Sequence, residues 1–133
     1  MQFPTGATIV VTDGHTLRLL RNDGDELHLR LEELAAPALH THHGAGHGPH
    51  PHKANDSPRS NSEDDHAAAV AGWLNAEAIG GRVSAVFVVA PPRTLGELRR
   101  HYHPALKSRL LGELNKEHAR DPVKTLHDVL VAA

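Results

Sequence analysis

The chain has no cysteine, which excludes disulfide bonds, thiolate zinc sites and a cysteine nucleophile. Aromatic residues make up only 3% of the 133 residues, so few rings are available to stack on nucleic-acid bases. The longest apolar run, around residues 83–92, is far shorter than the roughly 20 residues that cross a bilayer. We therefore expect no membrane span. The first residues lack a secretion-signal pattern, which predicts a cytoplasmic protein.

Several sequence motifs are also missing. There is no P-loop, nucleotide-binding glycine loop or Ser-His-Asp spacing, so nucleotide and nucleophilic chemistry have no visible carrier. The formal net charge is -2, which argues against a protein that coats nucleic acid through its overall charge. A chain of this length has the size of one domain, and we predict a single domain over residues 1–133.

Turn signals divide the first part of the chain into three predicted strands. Residues 7–12 (ATIVVT) and 15–21 are predicted to form a hairpin around Asp13-Gly14, a dipeptide typical of tight turns. After a second turn, leucines alternate with polar residues over 26–32, as in a half-buried strand. The pattern indicates an antiparallel meander whose third strand lies toward a sheet edge.

The middle of the chain changes character. From about residue 37 to 61 it is rich in His, Gly, Pro, Ser and Asn, a composition that predicts a disordered loop. Ser62 and Asp65 have the spacing of a loose capping box, and apolar residues then recur as far as Gly80-Gly81. We predict a helix between these two points.

The last third of the chain predicts one buried strand and further helices. Residues 84–90 (SAVFVVA) are continuously apolar, as in a central parallel strand with both faces covered. Thr94 and Glu97 have capping-box spacing, which predicts a helix from Thr94. Leucines over 106–114 fit a helical stripe or, in their second half, a strand, and the pattern alone favours helix. Asp121-Pro122 predicts the cap and first residue of a final helix.

Two segments carry a family resemblance. Residues 88–117 (VVAPPRTLGELRRHYHPALKSRLLGELNKE) resemble the most recognisable block of the bacterial proteins required for attachment to host cells, in which a strand, PPRTLGELR and (L/V)xxE(I/L)xK follow one another. Residues 10–22 (VVTDGHTLRLLRN) resemble that family's opening hairpin. The similarity spans nearly the whole chain except residues 40–60.

The resemblance implies a fold. The element order βββαβαβα is similar to the middle domain of archaeo-eukaryotic peptide-chain release factors. It implies an α/β, RNase-H-like, three-layer domain with a mixed five-stranded sheet, in which residues 110–116 form a strand, and we adopt that assignment over the helical stripe. Release factors carry a Gly-Gly-Gln tip between the third strand and the first helix. Here no Gly-Gly-Gln occurs, because Gly80-Gly81 is followed by Arg82, so peptide-release activity is not implied.

Basic residues follow the predicted central strand. Arg93 and the amide end of a new helix meet at one corner, an arrangement that attracts phosphate or carboxylate groups; alternatively, the two preceding prolines only fix the turn. The other basic residues either extend this corner into an RNA-facing surface or form a solvated helix face. The anion- or RNA-binding candidates are Arg93, Thr94, Arg99, Arg100, Lys107 and Arg109.

Four aromatic residues bear on the RNA hypothesis. We expect Phe87 and Trp73 to lie in the core. Tyr102 and Phe3 are then left as the candidates for stacking on bases, which gives little support to readout of single strands.

Histidine is unusually frequent, and six of the 13 histidines fall within 13 positions. Neutral imidazoles at such spacing bind zinc, nickel or copper, but a Gly/Pro-rich loop does not supply rigid geometry. We therefore predict no cofactor and at most an adventitious divalent transition metal. The residues concerned are His40, His42, His43, His47, His50 and His52.

A metal-dependent nuclease is the alternative function. On an RNase-H-like fold it needs carboxylates converging from the first strand, the helix and the fourth strand. Asp13 and Glu77 are available, but residues 90–92 (APP) occupy the end of the fourth strand, which favours a turn aspartate and a solvated helix glutamate.

The prediction is therefore a noncatalytic binding module for RNA or the ribosome, or for a protein partner in attachment. The oligomeric state is not indicated.

Overall fold

The structure is a computed structural model that describes residues 1–39 and 58–133, and the side chains of 58–61 are left aside. Nine elements follow one another in these described residues. They are β1 (Thr8–Thr12), β2 (Leu17–Asn22), β3 (Leu31–Leu34), α1 (Pro58–Ile79), β4 (Val86–Val89), α2 (Pro92–Arg99), α3 (Pro104–Lys107), β5 (Leu110–Leu114) and α4 (Val123–Ala132).

The five strands form one mixed sheet in the order β3-β2-β1-β4-β5. β1 and β2 pair as the predicted antiparallel hairpin, and β3 lies at an edge as expected. β4 pairs in parallel with β1 and with β5. All four residues of β4 are buried, so the prediction of an interior strand covered on both faces is confirmed, although the middle position belongs to β1.

The third strand begins later than predicted. Leu27 is 75% exposed and lies in a turn in which Asp25 and His28 exchange backbone hydrogen bonds. The Asp25 carboxylate also accepts from the amides of Leu27 and His28. A short polar side chain that bonds to the amides ahead of it favours a turn over a strand, so the alternation of leucines is interrupted and β3 starts only at Leu31.

Residues 110–114 form β5, as the family resemblance implied and against the helical stripe. The leucine pattern of 106–114 wrongly favoured a single helix, because its first leucine, Leu106, is buried in a separate short helix, α3. Register between β4 and β5 shifts after the pair Val86 and Leu110, so that Phe87 lies opposite Gly112. A Cβ on Gly112 would come within 3.1 Å of the Phe87 ring, and a residue without a side chain therefore suits this position.

Helices cover both faces of the sheet. One apolar cluster joins the sheet to α1, α2 and α3 through residues such as Val10, Leu74 and Leu98. A second joins the opposite face to α4 and the N-terminal segment through Ile9, Leu126 and others. The α/β class and the mixed five-stranded sheet are confirmed, and the two clusters make three layers.

The aromatic side chains take part in this packing. Phe3 is 1% exposed and meets Phe87 edge-on, with ring centroids 5.3 Å apart. Tyr102 is 9% exposed and its hydroxyl donates to the Glu113 carboxylate. The prediction that Phe3 and Tyr102 are available for base stacking is therefore wrong, because apolar contacts draw both rings inward. Phe87 is buried as expected, and Trp73 packs against the first cluster while only partly buried.

Helix α1 begins earlier than the sequence predicted. It starts at Pro58 instead of Ser62, since proline suits a first helical turn that needs no amide donor. It ends, as expected, before Gly80-Gly81, where Gly81 has φ 75°. Of the disordered loop predicted at 37–61, residues 58–61 lie in this helix, and residues 40–57 lie outside the described residues.

Prolines also replace the predicted caps of two later helices. α2 starts at Pro92 with Pro91 as its N-cap, while Thr94 is buried and caps nothing, so the Thr94 capping box is wrong. α4 has Pro122 as its N-cap, one residue after the predicted Asp121. In both cases the proline holds φ near -62° to -64° with ψ 158°, which presets the turn into the helix. No helix in the described ranges is both long and apolar enough to span a membrane.

Asn22 is a fully buried polar side chain at the end of β2. Its amide nitrogen donates to the carbonyls of Phe3, Pro4 and Asp25. Its oxygen accepts from the amides of Gly24 and Arg30. These bonds join the N-terminal segment, the turn after β2 and the approach to β3.

We predict that Asn22→Leu lowers the free energy of unfolding by about 2–4 kcal/mol, because several buried backbone groups lose their partners. Urea unfolding measures the change. Asn115→Leu, at an exposed position after β5, is the matched control and should change stability by less than about 0.5 kcal/mol. Equal effects of the two substitutions would contradict a structural role for Asn22.

Candidate functional site

A cleft of about 430 Å³ lies where β1, β4 and β5 end. Parallel strands bring their carboxyl ends to one edge of a sheet, and ligands of open α/β sheets bind outside that edge. The lining comes from the loops after β1 and β5, from α1 and from the entry into α2. Its residues are Asp13, Gly14, His15, Glu63, Pro91, Arg93, Thr94, Glu117, His118, Arg120 and Asp121. The volume is within the usual range of small-ligand clefts.

Asp13 closes the turn after β1. Its Oδ1 accepts from the amides of His15 and Thr16 and from the Thr16 hydroxyl, at 2.7–3.0 Å. Burial acts to raise the pKa of Asp13, but these hydrogen bonds outweigh it and hold the pKa below its ordinary value of 3.8. The turn role predicted for Asp13 is confirmed.

The second carboxylate oxygen of Asp13 has a different environment. Asp13 is only 8% exposed and lines the cleft, yet its Oδ2 makes no hydrogen bond with the described part of the chain. No fully buried side-chain oxygen or nitrogen lacks a partner among the described residues, so Oδ2 is accessible from the cleft. A charged acceptor is therefore held there in a fixed orientation.

Glu63, in the first turns of α1, packs across the same turn. A Cβ on Gly14 would come within 2.8 Å of the Glu63 side chain, so the close approach depends on the glycine. The Glu63 carboxylate lies 3.4 Å from His15 Nε2. Sequence reasoning selected Glu77 as the carboxylate of this helix, but Glu77 lies about 21 Å farther along it. There it binds Arg82 at 2.6 Å, beside the end of the helix.

Arg18 of β2 fixes the loop after β5. One guanidinium nitrogen donates to the carbonyls of Ala119 and Asp121 at 3.2 and 2.5 Å, and the others bind Glu33 of β3 at 2.8 Å. Within the loop, His118 lies 2.6 Å from the Asp121 carboxylate. The loop is thus tied to the opposite side of the sheet by a side chain far away in sequence.

Two of the six predicted anion-binding residues reach this cleft. Arg93 lines it, with its side chain 61% exposed and 3.5 Å from Asp64, so Arg93 is in a surface ion pair and is not locked inside. Thr94 also lines the cleft but is buried.

The other four predicted residues lie beyond the cleft lining. Arg99 binds Glu113 at 2.7 Å, and Arg100 lies 3.8 Å from Glu97. Arg109 donates to a backbone carbonyl, and Lys107 is exposed on α3. The structure therefore does not gather the six residues into one site, and carboxylates offset much of their charge. Anion binding by these residues stays a prediction.

Sequence reasoning missed most of the cleft. Glu63, Glu117, His118 and Arg120 were not considered, and Asp121 was considered only as a helix cap. A signal for the loop was available: once 110–116 is taken as a strand parallel to 84–90, the residues after both strands meet at the same edge. Nothing local in the sequence distinguishes Glu63 from the two acids that follow it.

Metal binding was predicted for six histidines, all within residues 40–57 and so outside the described residues, and it stays a prediction. In the ranges that the structure describes, no three or more His, Asp or Glu residues are grouped so as to hold a metal ion. Asp13 and Glu77, the two carboxylates considered for a nuclease, are not brought together. The nuclease alternative is not favoured.

The chain is similar to a known protein family. The model of a family described as "Protein required for attachment to host cells" matches residues 8–130, which includes every strand and nearly all of α4. No curated protein shows significant similarity to the chain.

The depressed pKa of Asp13 predicts a pH-dependent contribution to stability. Above 3.8 the ionised carboxylate should make the wild type more stable than Asp13→Asn by about 1 kcal/mol. The difference should shrink as the pH falls through the lowered folded-state pKa, because protonation then favours the unfolded chain. Urea unfolding at a series of pH values measures it. Glu26→Gln, at an exposed turn, is the control; a difference for Asp13→Asn that does not change with pH would contradict the assignment.

Proposed function

Since this chain belongs to the family of proteins required for attachment to host cells, we propose that it is a noncatalytic binding module whose protein partner binds in the cleft at the carboxyl ends of β1, β4 and β5. The family match supports a role of the attachment type. The cleft is the surface whose position in the sheet and shape best fit such a role.

The observation that carries the proposal is that the cleft is preformed. The turn after β1 is closed by Asp13, the entry to α2 is set by Pro91 and Pro92, and the loop after β5 is tied down by Arg18. Binding to loops that are already ordered avoids the entropic cost of fixing them. The roles of Asp13, Pro91, Pro92 and Arg18 in these loops are structural, and none of them has to act as a catalytic group.

Protein is favoured over RNA by the charge of this surface. Binding to a phosphate backbone depends on cations that can neutralise phosphates. Arg93, Arg99 and Arg100 each lie within 3.8 Å of a carboxylate, and the family match does not point to RNA or the ribosome. RNA binding is accordingly not part of the proposal.

A structural relationship to release factors is also proposed. An RNase-H-like domain related to the middle domain of release factors is supported by the mixed sheet order β3-β2-β1-β4-β5 and by helices on both faces. The sequence contains no Gly-Gly-Gln, so the proposed relationship carries no peptide-release activity. A cytoplasmic location likewise stays a prediction, and a role in attachment would then be indirect.

A bulky substitution in the cleft tests the function. His15 has a side chain 64% exposed at the cleft lining, so His15→Trp should fill part of the cleft whatever the charge of the partner, at little cost in stability. In a strain that lacks the gene, the wild type should restore adhesion to host cells, and His15→Trp should leave it near the level of the deletion strain.

Lys107→Trp is the matched control, because Lys107 is exposed on α3 outside the cleft lining, and it should restore adhesion like the wild type. Thermal unfolding of both purified variants shows that each is folded. Full adhesion with His15→Trp would refute the cleft as the binding site. Tight, salt-dependent binding of single-stranded RNA that is lost in an Arg93/Arg99/Arg100 alanine variant would refute the choice of protein over RNA.

A further inference from the structure

We propose that the cleft accepts a cationic group, the lysine or arginine side chain of a basic segment in the partner protein. This inference rests on the proposed function, because it takes the cleft as the partner-binding site. It goes beyond that function by assigning the chemistry of the group that enters.

The first observation is the balance of charge in the cleft. Four carboxylates line it against two guanidinium groups, those of Arg93 and Arg120, which leaves a formal charge of -2 when the lining histidines are neutral. Two charged residues just outside the lining offset each other, because Asp64 lies 3.5 Å from Arg93 and Arg18 donates to the backbone carbonyl of Asp121. A concave surface lined mainly by one sign of charge concentrates the field and attracts the opposite sign. The four carboxylates are Asp13, Glu63, Glu117 and Asp121.

The second observation is that carboxylate oxygens remain available. Asp13 Oδ2 has no hydrogen-bond partner among the described residues, although the residue is only 8% exposed. Glu117 uses one oxygen, Oε1, to accept from the Ala119 amide, and its other oxygen has no partner in the described part of the chain. Such acceptors, already oriented, form strong charge-assisted hydrogen bonds with ammonium or guanidinium groups.

Asp13 is the central acceptor, since its position is fixed independently of any ligand. Oδ1 is held by three hydrogen bonds within the turn, so Oδ2 cannot turn away. An incoming ammonium or guanidinium group would therefore meet an acceptor whose orientation needs no further ordering. Unlike a metal ion, a lysine or arginine side chain does not need three or more ligands around one point. The described residues contain no such group of His, Asp or Glu.

Matched peptides test the inference on the full chain. Two short fluorescein-labelled glycine-serine peptides carry either lysines or glutamates at the same positions, and fluorescence anisotropy measures their binding. The lysine peptide should bind about fivefold or more tightly than the glutamate peptide. Its affinity should fall severalfold between about 50 mM and about 300 mM NaCl, because salt screens the attraction.

Two nearly isosteric substitutions assign the binding to the cleft. Asp13→Asn keeps an oxygen for the turn amides and replaces the accessible oxygen by NH₂, and Glu117→Gln keeps an acceptor for the Ala119 amide. Together they should lower the affinity for the lysine peptide about tenfold. Glu117→Gln alone, at an exposed position, should lower it severalfold without a change in stability. Glu26→Gln, at the exposed turn before β3, is the control and should leave it unchanged.

Equal affinities for the two peptides, including no detectable binding of either, would overturn the inference. An equal loss of affinity in the Glu26→Gln control would do the same. The adhesion assay separates this result from the proposed function: if the Asp13→Asn/Glu117→Gln variant restores adhesion while His15→Trp does not, the cleft is the site but its ligand is not a cation. Restoration by His15→Trp refutes the proposed function itself.

Discussion

The parallel hydrogen-bond ladder that joins β1, β4 and β5 is the constraint on which the rest of the structure depends. Because the three strands run the same way, the loops after them emerge at one edge of the sheet. Their backbone pairing also places β1 and β4 in the interior, where both faces must be covered. The two apolar clusters and the helices on either face follow from this arrangement, and so does the position of the cleft.

Polar side chains stabilise the loops and turns that the parallel strands bring together. Arg18 links β2 and β3 to the loop after β5, Asn22 joins the N-terminal segment to the turn after β2, and Asp13 closes the turn at the cleft. Each satisfies backbone groups that would otherwise lack partners inside the protein. Such contacts order the loops around the cleft before any partner binds. A cleft that is already ordered favours a binding role for this protein.

The success of prediction from sequence varied with how local the signal was. The hairpin of β1 and β2 and the buried strand β4 were predicted well, because turn residues and continuous apolar runs are local features. The start of β3 was predicted too early, because the Asp25 carboxylate stabilises a turn where the alternating leucines predicted a strand. The leucines of 106–114 could not be assigned from pattern alone, since Leu106 packs in α3 while the next ones pair with β4, and only the family resemblance gave the strand.

By itself, the sequence determined the α/β class, the hairpin of β1 and β2, the interior strand β4 and the family, because these depend on side-chain periodicity and on contiguous motifs. Only the tertiary structure decided which charged groups share a site. It brought Glu63 across Gly14 and the residues after β5 beside Arg93, and it paired Arg93, Arg99 and Arg100 with carboxylates from other parts of the chain or the same helix. The net charge of a cleft is a sum over residues distant in sequence, so a basic run in the sequence does not determine it.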